Sequence, residues 1–395
     1  MARPIAPGSG AFIALIAALM TVTAMSIDIN LPAIPATAAD LGSSLTTAQL
    51  SVSLFFGGFA LGQLVWGPLS DVTGRKPAML VGLGLYELAT LGCALAGDMT
   101  SLLVLRVIQG LGAGAGSVLA RAVIRDLFEG AQMARILSLA LAAFITAPIV
   151  APSIGALILS VAHWRWIFGF LALYGAVLLL LAALFLEESL KTRNPGALRL
   201  ERMTQAFLAV FRDPASRAWA LVVTLTFGSL TVYLTNAAAV LMDGYGMTPT
   251  AFGAAFAVVA VFSSAGNLLN SRLIRSLSLQ RTIRMALLAG IVLLAAAATI
   301  AHLALGGVWT VVVCLGLFFV TFGLVAANAT TLALHPHGAI AGSAAAALGF
   351  AQTVVPAIVA SLVALLYDGS AMPMIAAMLL LSLLAWGIAS RAGAA

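Results

Sequence analysis

Apolar stretches long enough to cross a bilayer alternate with short polar punctuation from one end of the chain to the other. The run from Ile5 to Ile27 carries no charge. Further charge-free stretches cover Leu41–Ser70, Ile136–Trp164, Trp166–Leu186, Ala218–Met242, Gly244–Ser271, Met285–Leu334, Gly338–Tyr367 and Gly369–Ser390. A helical crossing takes about 20 residues, so Met285–Leu334 holds two helices, divided at Leu305-Gly306-Gly307. Glu87, Arg106 and Arg121 interrupt two further spans between Pro77 and Ile124. The pattern predicts twelve membrane helices: 12–34, 46–69, 77–97, 101–124, 133–159, 165–187, 214–236, 248–270, 282–303, 308–332, 340–365 and 371–391. The first reads as a retained span, because a cleaved signal peptide has a shorter apolar core and a small-residue cut site.

Composition agrees. Of 395 residues 62% are hydrophobic and only 8% charged, against about 25% charged in a soluble domain. The net charge of +6 does not point to nucleic acid, because its distribution follows topology. With the N-terminus inside, the inner loops hold Arg75, Lys76, Arg125, Arg135, the basic residues of 191–217, and Arg272, Arg275, Arg281 and Arg284. The outer loops hold Arg165 and the acids Asp40, Asp98, Asp243 and Asp368. This is the positive-inside asymmetry, and it places both termini in the cytoplasm. Cys93 and Cys314 fall inside spans and suggest neither a disulfide framework nor a metal site.

The polar segment Glu187–Arg217 separates two sets of six spans. The predicted organisation is an N-terminal bundle over 1–187, a cytoplasmic linker over 188–213 and a C-terminal bundle over 214–395. Leu198 to Phe211 reads as a helix lying on the membrane surface or as a plain tether. The fold class is all-α membrane protein, two pseudo-symmetric six-helix bundles, an arrangement that places cargo sites between repeats near mid-membrane. A faint echo supports duplication: Asp71-Val72-Thr73-Gly74-Arg75-Lys76 follows the second span, and Asn270-Ser271-Arg272-Leu273-Ile274-Arg275 follows the eighth.

The candidate chemistry is sparse. Asp28, in Ser26-Ile27-Asp28-Ile29-Asn30-Leu31-Pro32, is a carboxylate within an apolar span. Such an acid costs roughly 2.5–3.5 kcal/mol on insertion scales and marks an ion or proton pathway. Glu87 is a second acid, midway along the third span, readable as a proton carrier, a cation-binding group or a carboxyl held at a helix interface. Arg106 lies early in the fourth span, where snorkelling competes with an inward-facing role. Gln63, Asn30, Tyr233, Asn236, Asn267, Asn328 and Gln352 are candidate polar anchors of a mostly apolar pocket. Bonding a neighbouring helix is the commoner fate of such residues. Phe55, Phe56, Phe59, Phe256 and Phe262 are candidate lining aromatics.

Several motifs resemble the major facilitator superfamily. Gly67-Pro68-Leu69-Ser70-Asp71-Val72-Thr73-Gly74-Arg75-Lys76-Pro77 resembles its signature between the second and third helices. The resemblance gives Gly67, Asp71, Gly74 and Arg75 the part of a gate, with Val72 standing where an arginine is usual. Arg106-Val107-Ile108-Gln109-Gly110 resembles the fourth-helix signature, which implies a proton-transfer part for Arg106. Gly110-Leu111-Gly112-Ala113-Gly114 mimics a dinucleotide fingerprint, but follows no strand. Pro148-Ile149-Val150-Ala151-Pro152-Ser153-Ile154-Gly155-Ala156 resembles the antiporter signature, which implies export and assigns Pro148, Pro152 and Gly155 to the conformational seam. Gly62-Gln63-Leu64-Val65-Trp66-Gly67-Pro68, Arg125-Asp126-Leu127, Trp164-Arg165-Trp166-Ile167-Phe168, Asn270-Ser271-Arg272 and Asn328-Ala329 narrow the resemblance to Bcr/CflA-like drug:proton antiporters. The implied protein is a multi-pass bacterial inner-membrane secondary transporter. It needs no cofactor or metal, draws on the proton motive force, and works as a monomer on small molecules and protons. A metabolite exporter or importer shares the fold. A membrane enzyme is the different-class alternative; His335-Pro336-His337 is its one candidate metal pair, and two histidines without a third ligand make a poor zinc site.

Overall fold

A computed structural model describes residues 5–194, 196 and 200–392, and among them every regular element is a helix. Leu198 and Arg199, which entered the linker reading, lie outside the described residues. The helices are α1 (Gly10–Asp28), α2 (Ile34–Asp40), α3 (Leu45–Thr73), α4 (Arg75–Leu95), α5 (Met99–Leu127), α6 (Gly130–Val161), α7 (Arg165–Phe185), α8 (Leu200–Arg212), α9 (Pro214–Ala238), α10 (Pro249–Leu273), α11 (Leu279–His302), α12 (Val308–Leu334), α13 (Ala341–Leu365) and α14 (Met372–Arg391). Among the described residues eleven helical stretches are long and apolar enough to cross a membrane. The remaining predicted span lies in α6, whose described apolar part runs Thr146–Val161.

The first span, predicted over 12–34, runs as one helical stretch from Gly10 to Asp40 with a change of helix type inside it. Its α-helix stops at Asp28, a 3-10 turn covers Leu31–Ala33, and α2 carries the chain on to Asp40. The cause is local. Pro32 and Pro35 lack the N–H groups that would bond the carbonyls of Asp28 and Leu31, and proline disfavours helical geometry in the residue before it. The ninth helix, which opens the second set of spans, also ends irregularly, in a π turn over Ala239–Gly244. Tyr367 closes that turn, its hydroxyl donating to the Ala239 carbonyl at 2.9 Å and to Asp243 Oδ2 at 3.0 Å. Burial first, and Asp243 second, push this phenol above its ordinary range.

The chain divides into two compact units, Met1–Arg202 and Met203–Ala395. In unit 1, α5 is the central helix, and its alternating glycines bring three neighbours close. A Cβ on Gly110 would strike the Phe55 carbonyl of α3, one on Gly112 would stand 2.5 Å from Tyr86 N of α4, and one on Gly116 2.7 Å from the Leu19 carbonyl of α1. The glycine run that imitates a nucleotide loop is thus a close-packing surface. In unit 2, α9, α11, α12, α13 and α14 share a core that includes Trp219, Val223, Ile283, Leu324 and Leu348. The predicted surface helix forms as α8, with Val210 buried in that same core.

Candidate functional site

Asp28 is the last residue of α1 and is 3% exposed. Among the described residues its carboxyl group makes no ion pair and no hydrogen bond to protein. Here the α-helical turns give way to the 3-10 turn, with Ile29 and Asn30 still in right-handed helical geometry. Asn30, two residues on, is buried as well, and its Oδ1 has no partner among the described residues. Gly155 of α6 sits against this change of helix type. A Cβ there would collide with the Ile29 carbonyl and come within 3.0 Å of Pro32 Cγ. The glycine of the antiporter-like motif therefore packs against the backbone just after Asp28, while Pro148 and Pro152 lie earlier in the same helix.

Arg106 does not snorkel. It is fully buried, with Nε donating to the Ser51 carbonyl (3.2 Å) and Nη1 to the Ser26 carbonyl (3.2 Å) and Gln109 Oε1 (2.6 Å). Its guanidinium lies 4.5 Å from the Phe55 ring centre. Gln109 Nε2 passes on to Thr90 Oγ1 (2.8 Å), and Thr90 Oγ1 to the Tyr86 carbonyl (2.6 Å). The Tyr86 hydroxyl meets Ser26 Oγ at 2.8 Å. Arg106 thus belongs to a polar network of α1, α3, α4 and α5, its Nη2 without a hydrogen-bond partner among the described residues, and it bonds the backbone two residues before Asp28 rather than the carboxyl group. Sequence reading missed Ser26, Tyr86, Thr90 and Gln109, because small or amphipathic residues in an apolar run give no signal until helices meet.

Glu87 Oε2 has no hydrogen bond to this cluster among the described residues. Glu87 is half-buried at the α4–α7 seam, where it and the Tyr86 ring both border Gly175. Arg121 is exposed on α5, and its Nε donates to the Ser117 carbonyl at 3.0 Å.

The loop after α3 is built around Arg75. Its Nε donates to Asp126 Oδ2 (2.8 Å), and its Nη1 to Asp71 Oδ1 (2.5 Å) and Ser70 Oγ (2.6 Å). Asp126 therefore pairs with Arg75, not with the adjacent Arg125. The carboxylate of Glu188 accepts the backbone N–H groups of Arg75 (2.9 Å) and Lys76 (3.2 Å), satisfying the open amides at the start of α4. Gly74, at φ 109°, leaves room for it: any Cβ would strike Glu188 Oε2. Asn194 N donates to the Asp71 carbonyl at 2.8 Å, so chain beyond α7 is also bound to this loop. Gly67 has nothing within 4 Å of where a Cβ would stand. At the other end of unit 1, Asp40 accepts from Arg165 Nη1 (2.5 Å) and Trp164 Nε1 (3.0 Å).

In unit 2 the structure sorts the predicted anchors. Asn328 ties two helices, the alternative left open for it: its Nδ2 donates to Asn270 Oδ1 (2.7 Å) and the Leu324 carbonyl (2.8 Å), and it is 4% exposed. Asn236 is buried and donates to the Val232 carbonyl at 2.9 Å. Tyr233 is buried in an aromatic cluster, stacked on Phe256 at 5.5 Å and tilted on Phe319 at 5.0 Å. Asn267 is exposed on α10, Gln63 is half-buried on α3, and Gln352 is half-buried on α13 with an Nε2 lacking a partner among the described residues. Phe55 lies under Arg106, and Phe262 fills the notch at Gly316. His337 Nε2 meets Ser216 Oγ at 3.0 Å. Ser216 is fully buried and donates to the Ala333 carbonyl, so this serine–histidine contact ties two helices and offers no nucleophile.

The family model described as Major Facilitator Superfamily matches residues 15–361. The chain belongs to this superfamily. Curated relatives agree. An uncharacterized MFS-type transporter, YdgK of Bacillus subtilis, is 33% identical over 89% of this chain and 87% of its own. A bicyclomycin resistance protein homolog of Haemophilus influenzae is 30% identical over 92% and 91%. A multidrug resistance protein, MdtL of Klebsiella pneumoniae, is 31% identical over 85% and 83%. The resemblance to the Bcr/CflA-like branch is in line with these names. A D-xylose–proton symporter structure aligns over 96% of this chain and 97% of its own, with a TM-score of 0.72 at 15% identity, a likeness of fold alone. The protein is a multi-pass membrane transporter of the major facilitator fold and not an enzyme.

Proposed function

We propose that this transporter exports small drug-like molecules across the bacterial inner membrane in exchange for protons, by alternating access, with both termini in the cytoplasm. Residues 1–187 and 214–395 are the moving bundles and 188–213 their connection. The relatives named for bicyclomycin and multidrug resistance support drug cargo. The antiporter-like helix α6 supports export.

The observation that carries proton coupling is Asp28: a buried carboxyl at the change of helix type in the first span, with no ion-pair partner among the described residues. Desolvation penalises the charged form of such a group. Opening to the outside lets Asp28 take a proton and releases cargo. Opening to the inside lets the proton leave and the site accept cargo again. Arg106 and its network hold the α1 backbone beside Asp28, and Asn30 and the half-buried polar groups serve orientation. The gate consists of Asp71, Gly74 and Arg75, with Asp126 and Glu188 fixing the loop.

One charge crossing 100 mV gives about 2.3 kcal/mol, and one pH unit about 1.4 kcal/mol. Together they sustain a gradient of several hundredfold, roughly, for a neutral cargo, at tenfold per 1.4 kcal/mol. The test is cargo-dependent proton release from everted vesicles. Wild type releases protons and accumulates drug; Asp28→Asn does neither. Full coupled transport by Asp28→Asn removes this residue from the mechanism.

A further inference from the structure

Unit 2 contains a small cavity among its membrane helices. Thr226 and Ser229 of α9, Gly290 of α11, Phe318 and Thr321 of α12 and Ser382 of α14 line it. It offers about 10 Å³ to the centre of a water, room for one such molecule. Three of the four hydroxyls have their hydrogens committed to their own helices. Thr226 Oγ1 donates to the Val222 carbonyl (2.8 Å), Thr321 Oγ1 to the Phe318 carbonyl (2.7 Å) and Ser382 Oγ to the Met378 carbonyl (2.8 Å). Each keeps lone pairs as acceptors. Ser229 is 1% exposed, and its hydroxyl has no hydrogen-bond partner among the described residues. Unit 1 shows what a serine in this place can meet. Helices α9, α11, α12 and α14 are the first, third, fourth and sixth spans of their set, as α1, α4, α5 and α7 are of theirs. Ser26, the seventeenth residue of α1, meets the hydroxyl of Tyr86, the twelfth residue of α4, at 2.8 Å. Ser229 is the sixteenth residue of α9, and the twelfth residue of α11 is Gly290. Glycine sends nothing toward Ser229, and it borders Thr321 instead: a Cβ there would stand 2.9 Å from Thr321 Oγ1.

We propose that this cavity is a binding site for one water molecule that joins α9, α12 and α14. The water accepts the Ser229 hydrogen and donates to two of the three remaining hydroxyl oxygens. That makes three bonds, the usual number for a buried water. Other occupants match these groups less well. An anion meets a single donor among acceptors. A cation meets no carboxylate in the lining, and an uncompensated charge is costly in a low-dielectric interior. An apolar atom leaves the Ser229 hydroxyl unsatisfied. In unit 1 the phenol of Tyr86 ties two helices directly, and in unit 2 the water does so beside a glycine. The site depends neither on Asp28 nor on the cargo.

The test is X-ray radiolysis of the full-length protein in lipid nanodiscs, read by mass spectrometry. Hydroxyl radicals formed from a bound water oxidise the side chains beside it, even where bulk water has no access. The expected result is oxidation of Phe318, which is 4% exposed and lines the cavity, and none of Phe252, which is buried away from it. A radical scavenger in bulk solution suppresses labelling of the exposed Tyr245 but not of Phe318. Ser229→Ala removes the one free donor, and the loss of one such bond lowers occupancy, and with it Phe318 labelling, about tenfold. Absence of Phe318 labelling in the wild type overturns the proposal, as does labelling that the scavenger removes together with that of Tyr245. These two outcomes need no variant. Labelling unchanged in Ser229→Ala overturns it too, by showing that the serine holds no water. The reading of Asp28 is decided separately, by the vesicle assay.

Discussion

A guanidinium buried beside an aromatic ring and held by three oxygen acceptors has its position fixed from several directions at once. Arg106 takes the Ser26 and Ser51 carbonyls and Gln109 together. Lysine keeps the charge but not the planar fork. Arg106→Lys should therefore leave one or more of these acceptors unpaired and cost about 1–3 kcal/mol, read as a lower melting temperature in detergent. The Asn270–Asn328 pair gives a sharper contrast. Removing one partner strands a buried amide, so Asn328→Leu should cost about 1–3 kcal/mol, whereas the Asn270→Leu/Asn328→Leu double variant should be close to neutral. A double variant less stable than either single would refute the helix-tie assignment. Asp28 was legible in the sequence because a charge inside an apolar run stands out whatever surrounds it. Asn328 was legible only as polar: its partner lies 58 positions away, and nothing local states which of two polar residues faces cargo and which faces a neighbour.

At the scale of helices, spacing within α5 does most of the organising. Gly112 admits no side chain, because Tyr86 N and the Gly82 carbonyl of α4 lie where its Cβ would stand; Gly84 faces open space. Gly112→Ala should lower the melting temperature clearly and Gly84→Ala hardly at all, a comparison one melting series decides. Asp98 caps α5 through the Ser101 backbone N–H (2.9 Å), and that bond first, then the Ser101 side chain, lowers its carboxyl below the usual range. A carboxylate lowered on folding stabilises the protein above its unfolded pKa, and this contribution is lost as pH falls through the folded value. Asp98→Asn keeps a capping oxygen and should flatten the acid side of the stability profile. An unchanged acid limb would show that the cap contributes nothing there. Helix existence was legible from apolar run length. The change of helix type after Asp28 was visible as Pro32 and Pro35, yet a run of apolar residues overrode them in the span prediction. Only the backbone shows the change from α-helix to a 3-10 turn over Leu31–Ala33.

For the whole transporter, energetics follow cargo charge. A neutral cargo exchanged for one proton moves one charge, so collapsing the membrane potential should lower its accumulation. A monovalent cation exchanged for one proton moves none, so it should respond to the pH gradient alone. Potassium–valinomycin clamps on everted vesicles separate the two. Equal sensitivity of both cargoes would exclude a one-to-one exchange through Asp28.

By itself the sequence determined what depends on composition and local order. Twelve spans follow from run length and from the high energetic cost of charge in hydrocarbon. The family follows from motifs that survive as strings, and the prominence of Asp28 from its isolation. Tertiary structure decided what depends on distant residues meeting. Helix packing routes Arg106 to the backbone carbonyls of Ser26 and Ser51, sends Asp126 to Arg75, and seats Gly155 against the Ile29 carbonyl. It also places Glu87 beside Gly175 at the α4–α7 seam. The physical reason is that membrane helices present similar apolar faces in every direction, so a polar side chain acquires its part only when a particular neighbour fills, or fails to fill, the space in front of it.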